Sequence, residues 1–258
     1  MIKAIFFDID GTLTDFNTHE IPADVFPVLK KLQEQGIRLI IATGRSKDGL
    51  YILKDYPFDG YITLNGQYCF DRNGRMLYEN TISPDSIRIL LDELEKNPVP
   101  CCFQLKNERV FNFRNEKVDE VHAITNNDDV PPGEIAGIDE KPIYQCMVFV
   151  DEQKEQEILK KLPDCIGARW HPTFFDLSPK GGTKVKGIDC FLSYFGIPLE
   201  ETMAFGDGGN DLAMLKHVKI GVAMGNAGEE LKQAADYVTS EASENGIEQA
   251  LRYYGVLK

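Results

Sequence analysis

The chain has 258 residues, 43% of them hydrophobic, which is enough to bury one large core or two smaller ones. A formal net charge of −13 and a pI near 4.8 argue against nucleic acid or an anionic membrane surface as the main partner, since neither counterion release nor charge attraction would assist binding. Any anionic substrate must be met by local positive groups.

The run Lys3-Ala4-Ile5-Phe6-Phe7-Asp8 reads as a buried strand over residues 3–8 that continues into Ile9-Asp10-Gly11-Thr12. In an extended segment Asp8 and Asp10 lie on one face, where they would repel each other without a cation. Gly11 permits a sharp turn that brings backbone N–H groups near an anion, and Thr12 adds a hydroxyl. These are also ordinary turn residues. The four fixed letters of DxDGT nonetheless coincide by chance only about once in 10⁵ positions, which favours a nucleophilic carboxylate beside an acid/base carboxylate. The apolar start is too short for a leader peptide and no run approaches a membrane span, so a soluble, cytoplasmic protein is expected.

Residues 23–35 carry Val25, Leu29 and Leu32 at helical spacing, and Gly36 stops the helix. A buried strand at 37–43, a short helix at 46–54 and a strand at 60–64 follow. In an open parallel sheet ligands bind at the carboxyl ends of strands, so Thr43 is placed to offer its hydroxyl to an oxyanion, with Gly44 beside it and Arg45 as a planar fork. Asn65-Gly66 is first a hairpin-turn signal.

From about 82 to 181 the pattern changes. Ser83-Pro84-Asp85 starts a helix that runs to about Lys96. Strands at 100–105 and 109–113, a helix at 116–125, a Pro-Pro-Gly loop at 131–133 and a strand at 143–150 come next. A helix at 152–161 and strands at 165–171 and 174–178 complete a mixed α+β block, read as a second domain inserted into the first. The alternation then resumes, with helices at 184–195, 209–216, 228–235 and 245–254 and strands at 202–206, 218–222 and 236–238. This implies an α/β parallel sheet with helices on both faces. Cys69, Cys101, Cys102, Cys146, Cys165 and Cys190 show no CxxC spacing and suit reduced, buried thiols.

Two further motifs sit in the last third. Ser178-Pro179-Lys180-Gly181-Gly182-Thr183-Lys184 places Lys184 at a helix start, where it can meet an anion as a point charge, with Lys180 and Lys186 as competitors. Phe205-Gly206-Asp207-Gly208-Gly209-Asn210-Asp211 ends a strand in two acids and an amide, a set suited to Mg²⁺ and equally to an acidic turn.

Together, Asp8-Ile9-Asp10-Gly11-Thr12, Thr43-Gly44-Arg45, Lys184 and Gly206–Asp211 resemble the four motifs of the haloacid dehalogenase-like phosphohydrolases. The insert resembles the cap of their Cof-type sugar-phosphatase branch, and the likeness to bacterial hexose-phosphate phosphatases covers essentially the whole chain. The resemblance implies a Rossmann-like core over 1–81 and 182–258 and an inserted cap over 82–181. It further implies Mg²⁺ held by the Asp8 carboxylate, the Asp10 carbonyl and Asp207, with Asp211 acting directly or through water. Asp8 would be the nucleophile and Asp10 the general acid/base. Thr43, Lys184 and the backbone N–H groups of Ile9, Asp10 and Gly11 would hold the phosphoryl oxygens, with Asn210 placing Lys184.

Arg45, Asn65, Arg169, Trp170 and His171 are candidate substrate contacts, although for Trp170, as for Phe174 and Phe175, packing in the cap's own core is the favoured reading. The expected partner is a small phosphate monoester, with no protein partner evident. The expected activity is hydrolysis; a phosphomutase passing the phosphoryl group to a second sugar phosphate is the alternative, and a non-catalytic sensor is a third reading.

Overall fold

The computed structural model describes residues 1–15, 18–125 and 130–257, without the side chains of residues 124, 125 and 170. The chain divides into two compact units: Met1–Arg45, Gly49–Glu79 and Thr183–Lys258 form one, and Ser46–Asp48 with Asn80–Gly182 form the other. The second unit thus starts two residues before the expected insert at 82–181, ends one after it, and takes in a three-residue stretch from the first half.

In chain order the first unit opens with β1 (Ala4–Phe7), α1 (Val25–Glu34), β2 (Arg38–Ala42), β3 (Gly60–Thr63), β4 (Tyr68–Asp71) and β5 (Met76–Glu79). The expected helix at 46–54 is a 3₁₀ segment, Lys47–Leu53. The second unit holds α2 (Pro84–Lys96), β6 (Cys101–Gln104), β7 (Arg109–Phe111), α3 (Glu116–Thr125), β8 (Gln145–Val148), α4 (Glu152–Leu159), β9 (Cys165–His171) and β10 (Phe174–Pro179). The first unit then resumes with α5 (Lys184–Phe195), β11 (Thr202–Gly206), α6 (Leu212–His217), β12 (Ile220–Ala223), α7 (Glu229–Ala234), β13 (Tyr237–Val238) and α8 (Gly246–Tyr253).

The first unit is one sheet in the order β13-β12-β11-β1-β2-β3-β4-β5. From β13 to β3 all neighbours are parallel, whereas β4 and β5 add an antiparallel edge that the sequence pattern did not disclose. The Asn65-Gly66 turn signal does join β3 to β4, with Thr63 opposite Tyr68.

Alternation along β1 assigns the two faces. Ile5 and Phe7 pack with Val28, Leu29 and Leu32 of α1 and Leu251 of α8, while Ala4 and Phe6 pack with Ile188 and Phe191 of α5 and Met214 of α6. Each strand end is therefore held between two buried layers, so a residue just past it has a fixed position.

The second unit is an antiparallel sheet ordered β7-β6-β8-β10-β9. Ile87, Leu90 and Leu94 of α2 and Ile158 of α4 cover Cys101, Phe103, Cys146, Val148 and Leu177. Val118 and Val121 of α3 pack with Cys102, Phe111, Phe149 and Phe174. The Ser83 hydroxyl accepts the Ser86 N–H and caps α2, as the Ser-Pro signal predicts. Among the described residues no helix is long and apolar enough to cross a membrane.

Phe191 is fully buried and stacks on Phe195, with ring centroids 5.9 Å apart. Truncating it removes packing and leaves a cavity under α5. Phe191→Ala is expected to lower unfolding free energy by about 3–5 kcal/mol, read as a shifted urea midpoint at unchanged slope.

Candidate active site

The registers bring the motifs to one edge of the sheet. Phe7 lies opposite both Ile41 and Phe205, and Gly206 lies opposite Ala223. Asp8, Thr43, Asp207 and Asn226 therefore leave the same carboxyl end of four adjacent parallel strands, the usual ligand edge of such a sheet.

Asp8 continues the face of Ala4 and Phe6, toward α5. The helix begins at Lys184, and its cap Thr183 accepts the Lys186 N–H at 3.1 Å. Lys184 is buried, and its Nζ donates to Asp8 Oδ1 and to Asp211 Oδ1, both at 2.6 Å. Of the competing lysines, Lys180 donates to the Pro163 carbonyl at 2.6 Å and Lys186 lies over the Tyr78 ring. The Asp211 Oδ2 accepts the N–H groups of Asp207 and Gly208 at 3.1 and 3.0 Å, closing the turn between β11 and α6.

Asp207 is fixed by the Thr12 hydroxyl on Oδ1 and the Asn226 amide on Oδ2, each at 3.0 Å. The same amide donates to the Gly11 carbonyl at 3.0 Å, so Asn226 ties the first loop to the fourth motif. No sequence motif marks Asn226. The available signal was its place three residues after β12, at the same sheet edge as the recognised motifs. Gly11 is required where it stands: its φ is +78°, and a Cβ there would come within 2.2 Å of Asp207 Oδ2.

Oxygens of Asp8, Asp207 and Asp211 lie within 4.8 Å of one another, which makes a set able to hold a metal ion. Burial holds the Asp8 carboxyl well above the usual range; Lys184 opposes this and the neighbouring carboxylates add to it. Burial, then Asp211, push Asp207 up to about 7. Burial alone would lower Lys184, but Asp211 and Asp8 more than offset it and raise its pKa. Three carboxylates against one ammonium leave the pocket two positive charges short, and oxygen donors with that deficit fit a hard divalent cation.

Asp8 and Asp10 do not share a strand face, contrary to expectation. β1 ends at Phe7, and the N–H groups of Thr12, Leu13 and Thr14 converge on the Ile9 carbonyl, which turns the chain. Asp10 instead faces Arg45, whose Nε and Nη2 reach its two oxygens at 2.8 Å each. Arg45, read as an oxyanion fork, is thus closed on Asp10. The Thr43 hydroxyl accepts the Arg45 N–H at 3.1 Å and keeps its own hydrogen to donate. Next to it, Gly44 sits 3.3 Å from the Asn65 side chain, measured from where a Cβ would stand.

Asn210 donates to Asn65 Oδ1 at 3.0 Å, while Lys184 takes its partners from Asp8 and Asp211; the expected pairing of Asn210 with Lys184 gives way to those carboxylates. The Gly11 N–H, expected on a phosphoryl oxygen, reaches Thr14 Oγ1 at 3.3 Å, and the Ile9 side chain is core. Arg169 belongs to the second unit and is a structural residue there: its guanidinium bonds Glu155 at 2.6 Å and the carbonyls of Val150, His171 and Pro172. The His171 Nδ1 lies 2.8 Å from the Thr173 hydroxyl. The Trp170 side chain lies outside the described residues.

A family model for haloacid dehalogenase-like hydrolases matches residues 5–251. The chain belongs to this family. Among solved structures, BT1666 from Bacteroides thetaiotaomicron, from a study of phosphatases of the haloacid dehalogenase superfamily, is 34% identical and superposes with a TM-score of 0.92 over 100% of this chain and 96% of its own. The subclass IIB sugar phosphatase BT4131 is 41% identical, with a TM-score of 0.87 over 99% of this chain and 100% of its own. The 5-amino-6-(5-phospho-D-ribitylamino)uracil phosphatase YcsE of Bacillus subtilis (strain 168) is 28% identical over 98% of this chain and 96% of its own length. The protein is an enzyme, a haloacid dehalogenase-like phosphatase, and its substrate is a small phosphate ester.

Removing the lysine of this haloacid dehalogenase-like site strands two buried carboxylates. Lys184→Met is expected to cost about 3–5 kcal/mol at pH 8. The loss should shrink as the pH is lowered, because burial and the neighbouring carboxylates favour the protonated form of Asp8; urea melts at pH 8 and pH 5 measure both.

Proposed function

We propose that this phosphatase hydrolyses phosphorylated small metabolites, hexose or other sugar phosphates, through a Mg²⁺-dependent aspartyl-phosphate on Asp8. The observation that carries this reading is the buried Asp8 sharing Lys184 with Asp211 inside one three-carboxylate ligand set. The sugar class rests on the sugar phosphatase that matches over the whole chain.

In this reading an Asp8 oxygen attacks phosphorus and the bond to the leaving alcohol breaks, giving an acyl phosphate on Asp8. Asp10, at the lip of the site, gives its proton to that alcohol and later takes one from the attacking water. Lys184 and the Thr43 hydroxyl hold phosphoryl oxygens, and Lys184 also keeps Asp8 oriented. Mg²⁺ would be held by the Asp8 and Asp207 carboxylates and the Asp10 carbonyl. Asp211, whose Oδ1 accepts from Lys184 and whose Oδ2 accepts two backbone N–H groups, would act on the ion directly or through water. When bound, the ion supplies the missing positive charge, since electrostatics and positioning carry most of phosphoryl-transfer catalysis.

The segments 1–81 and 182–258 would carry the chemistry and 82–181 the choice of leaving group. The free cysteines suit a reducing compartment, and we assign the protein to the cytoplasm.

Asp8→Asn is expected to reduce phosphate release from a panel of sugar phosphates by about 10⁴-fold or more, with the circular-dichroism spectrum unchanged. Turnover near wild type in that variant rules out the covalent route. A second expectation concerns Mg²⁺ and pH. Asp207 is raised to about 7 in the folded state, so the native form binds the extra proton and metal-free stability falls as pH rises from about 4 through 7. The rise in melting temperature on adding Mg²⁺ should therefore grow between pH 5.5 and 8, and Asp207→Asn should flatten it.

A further inference from the structure

Arg45 is tied down on every side. Its N–H donates to Thr43 Oγ1 at 3.1 Å, its carbonyl accepts the Leu64 N–H at 2.9 Å, and its Cβ packs on Gly49. The Arg45 side chain is only 15% exposed, whereas the Asp10 side chain is 49% exposed. An exposed carboxylate on a loop is thus met by a planar fork that engages both its oxygens at 2.8 Å. Such two-point pairing fixes the plane of a carboxylate as well as its place, which a single donor does not do.

Resting on the hydrolase reading above, we infer that Arg45 is a positioning residue for proton transfer: it sets the orientation of Asp10 and does not bind substrate itself. Asp10 must reach two oxygens in turn. Its proton goes to the leaving alcohol as the phosphorus–oxygen bond breaks. It then accepts a proton from water as the water oxygen bonds phosphorus and the Asp8–phosphorus bond opens. A carboxylate free to rotate would be misaligned for both events, and misalignment costs rate with little effect on binding.

The test compares wild type, Arg45→Gln, Arg45→Lys, Asp10→Asn and the double variant Asp10→Asn/Arg45→Gln, each with Mg²⁺ and with either a hexose phosphate or 4-nitrophenyl phosphate. The hexose alkoxide needs a proton to leave, whereas 4-nitrophenolate does not. Arg45→Gln should lose roughly 100-fold in kcat on the hexose phosphate with KM nearly unchanged. On 4-nitrophenyl phosphate it should show a fast burst of nitrophenolate and then slow turnover, because only the water step still needs Asp10. Arg45→Lys should recover part of the loss, and the double variant should be no slower than Asp10→Asn, since Arg45 acts through Asp10. Equal losses on both substrates without a burst overturn the inference. So does a raised KM at unchanged kcat, or a double variant slower by the product of the single losses. An Arg45→Gln chain that fails to fold leaves Arg45→Lys to decide, by the same burst. A wild type that releases no phosphate from either ester removes the hydrolase reading itself, and this inference with it.

Discussion

At 3% exposure Lys184 cannot keep its charge unless other groups replace the water it loses, and Asp8 and Asp211 do so at 2.6 Å each. That requirement reaches well beyond the three side chains. It holds the first turn of α5 to the end of β1, and it ties the turn after β11 to both. The loop after β3 must make room as well. Leu64, Asn65 and Gly66 all have positive φ, and a Cβ at Gly66 would come within 2.1 Å of the Thr183 carbonyl, so the helix start packs directly against that backbone. Three separate chain segments are thus registered by one ammonium group.

The same arrangement is deliberately short of positive charge. Asp207, Asp8 and Asp211 crowd one another with a single lysine between them, and burial keeps water from relieving the repulsion. An apolar pocket of equal size would be more stable. The acids are held together by neutral donors instead: the Thr12 hydroxyl and the Asn226 amide on Asp207, and two backbone N–H groups on Asp211. These donors orient the carboxylates without neutralising them, which preserves their attraction for a cation and for whatever anion the cation brings.

Much of this could be read from the residues. The strand–helix alternation predicts the parallel sheet, and the Asp, Gly and Thr letters after the first strand mark the loop proposed to carry the nucleophile, because a buried apolar run there leads straight into two acids and a tight turn. What escaped depended on pairing across the fold. Asn226 is one asparagine in a glycine-rich loop until the register of β11 and β12 brings it beside Gly11 and Asp207. Arg45 looks like an anion fork until Asp10 is seen in it. Arg169 looks like a substrate contact until Glu155, 14 positions earlier in the chain, is found against it.

Two carboxylates separated by one residue have been given opposite surroundings. The Asp8 side chain is 9% exposed and bonded to a buried lysine, while the Asp10 side chain is 49% exposed and clasped by an arginine. The turn around the Ile9 carbonyl produces this divergence, since it ends the strand between them. A nucleophile benefits from the buried position, where its direction is fixed and water does not compete for its lone pairs. A proton carrier benefits from the exposed one, where it can meet first an alcohol and then a water. In the proposed mechanism the chemistry is divided between the two acids by where the chain bends, and a sequence in which β1 continued two residues further would hold both on one face and lose the division.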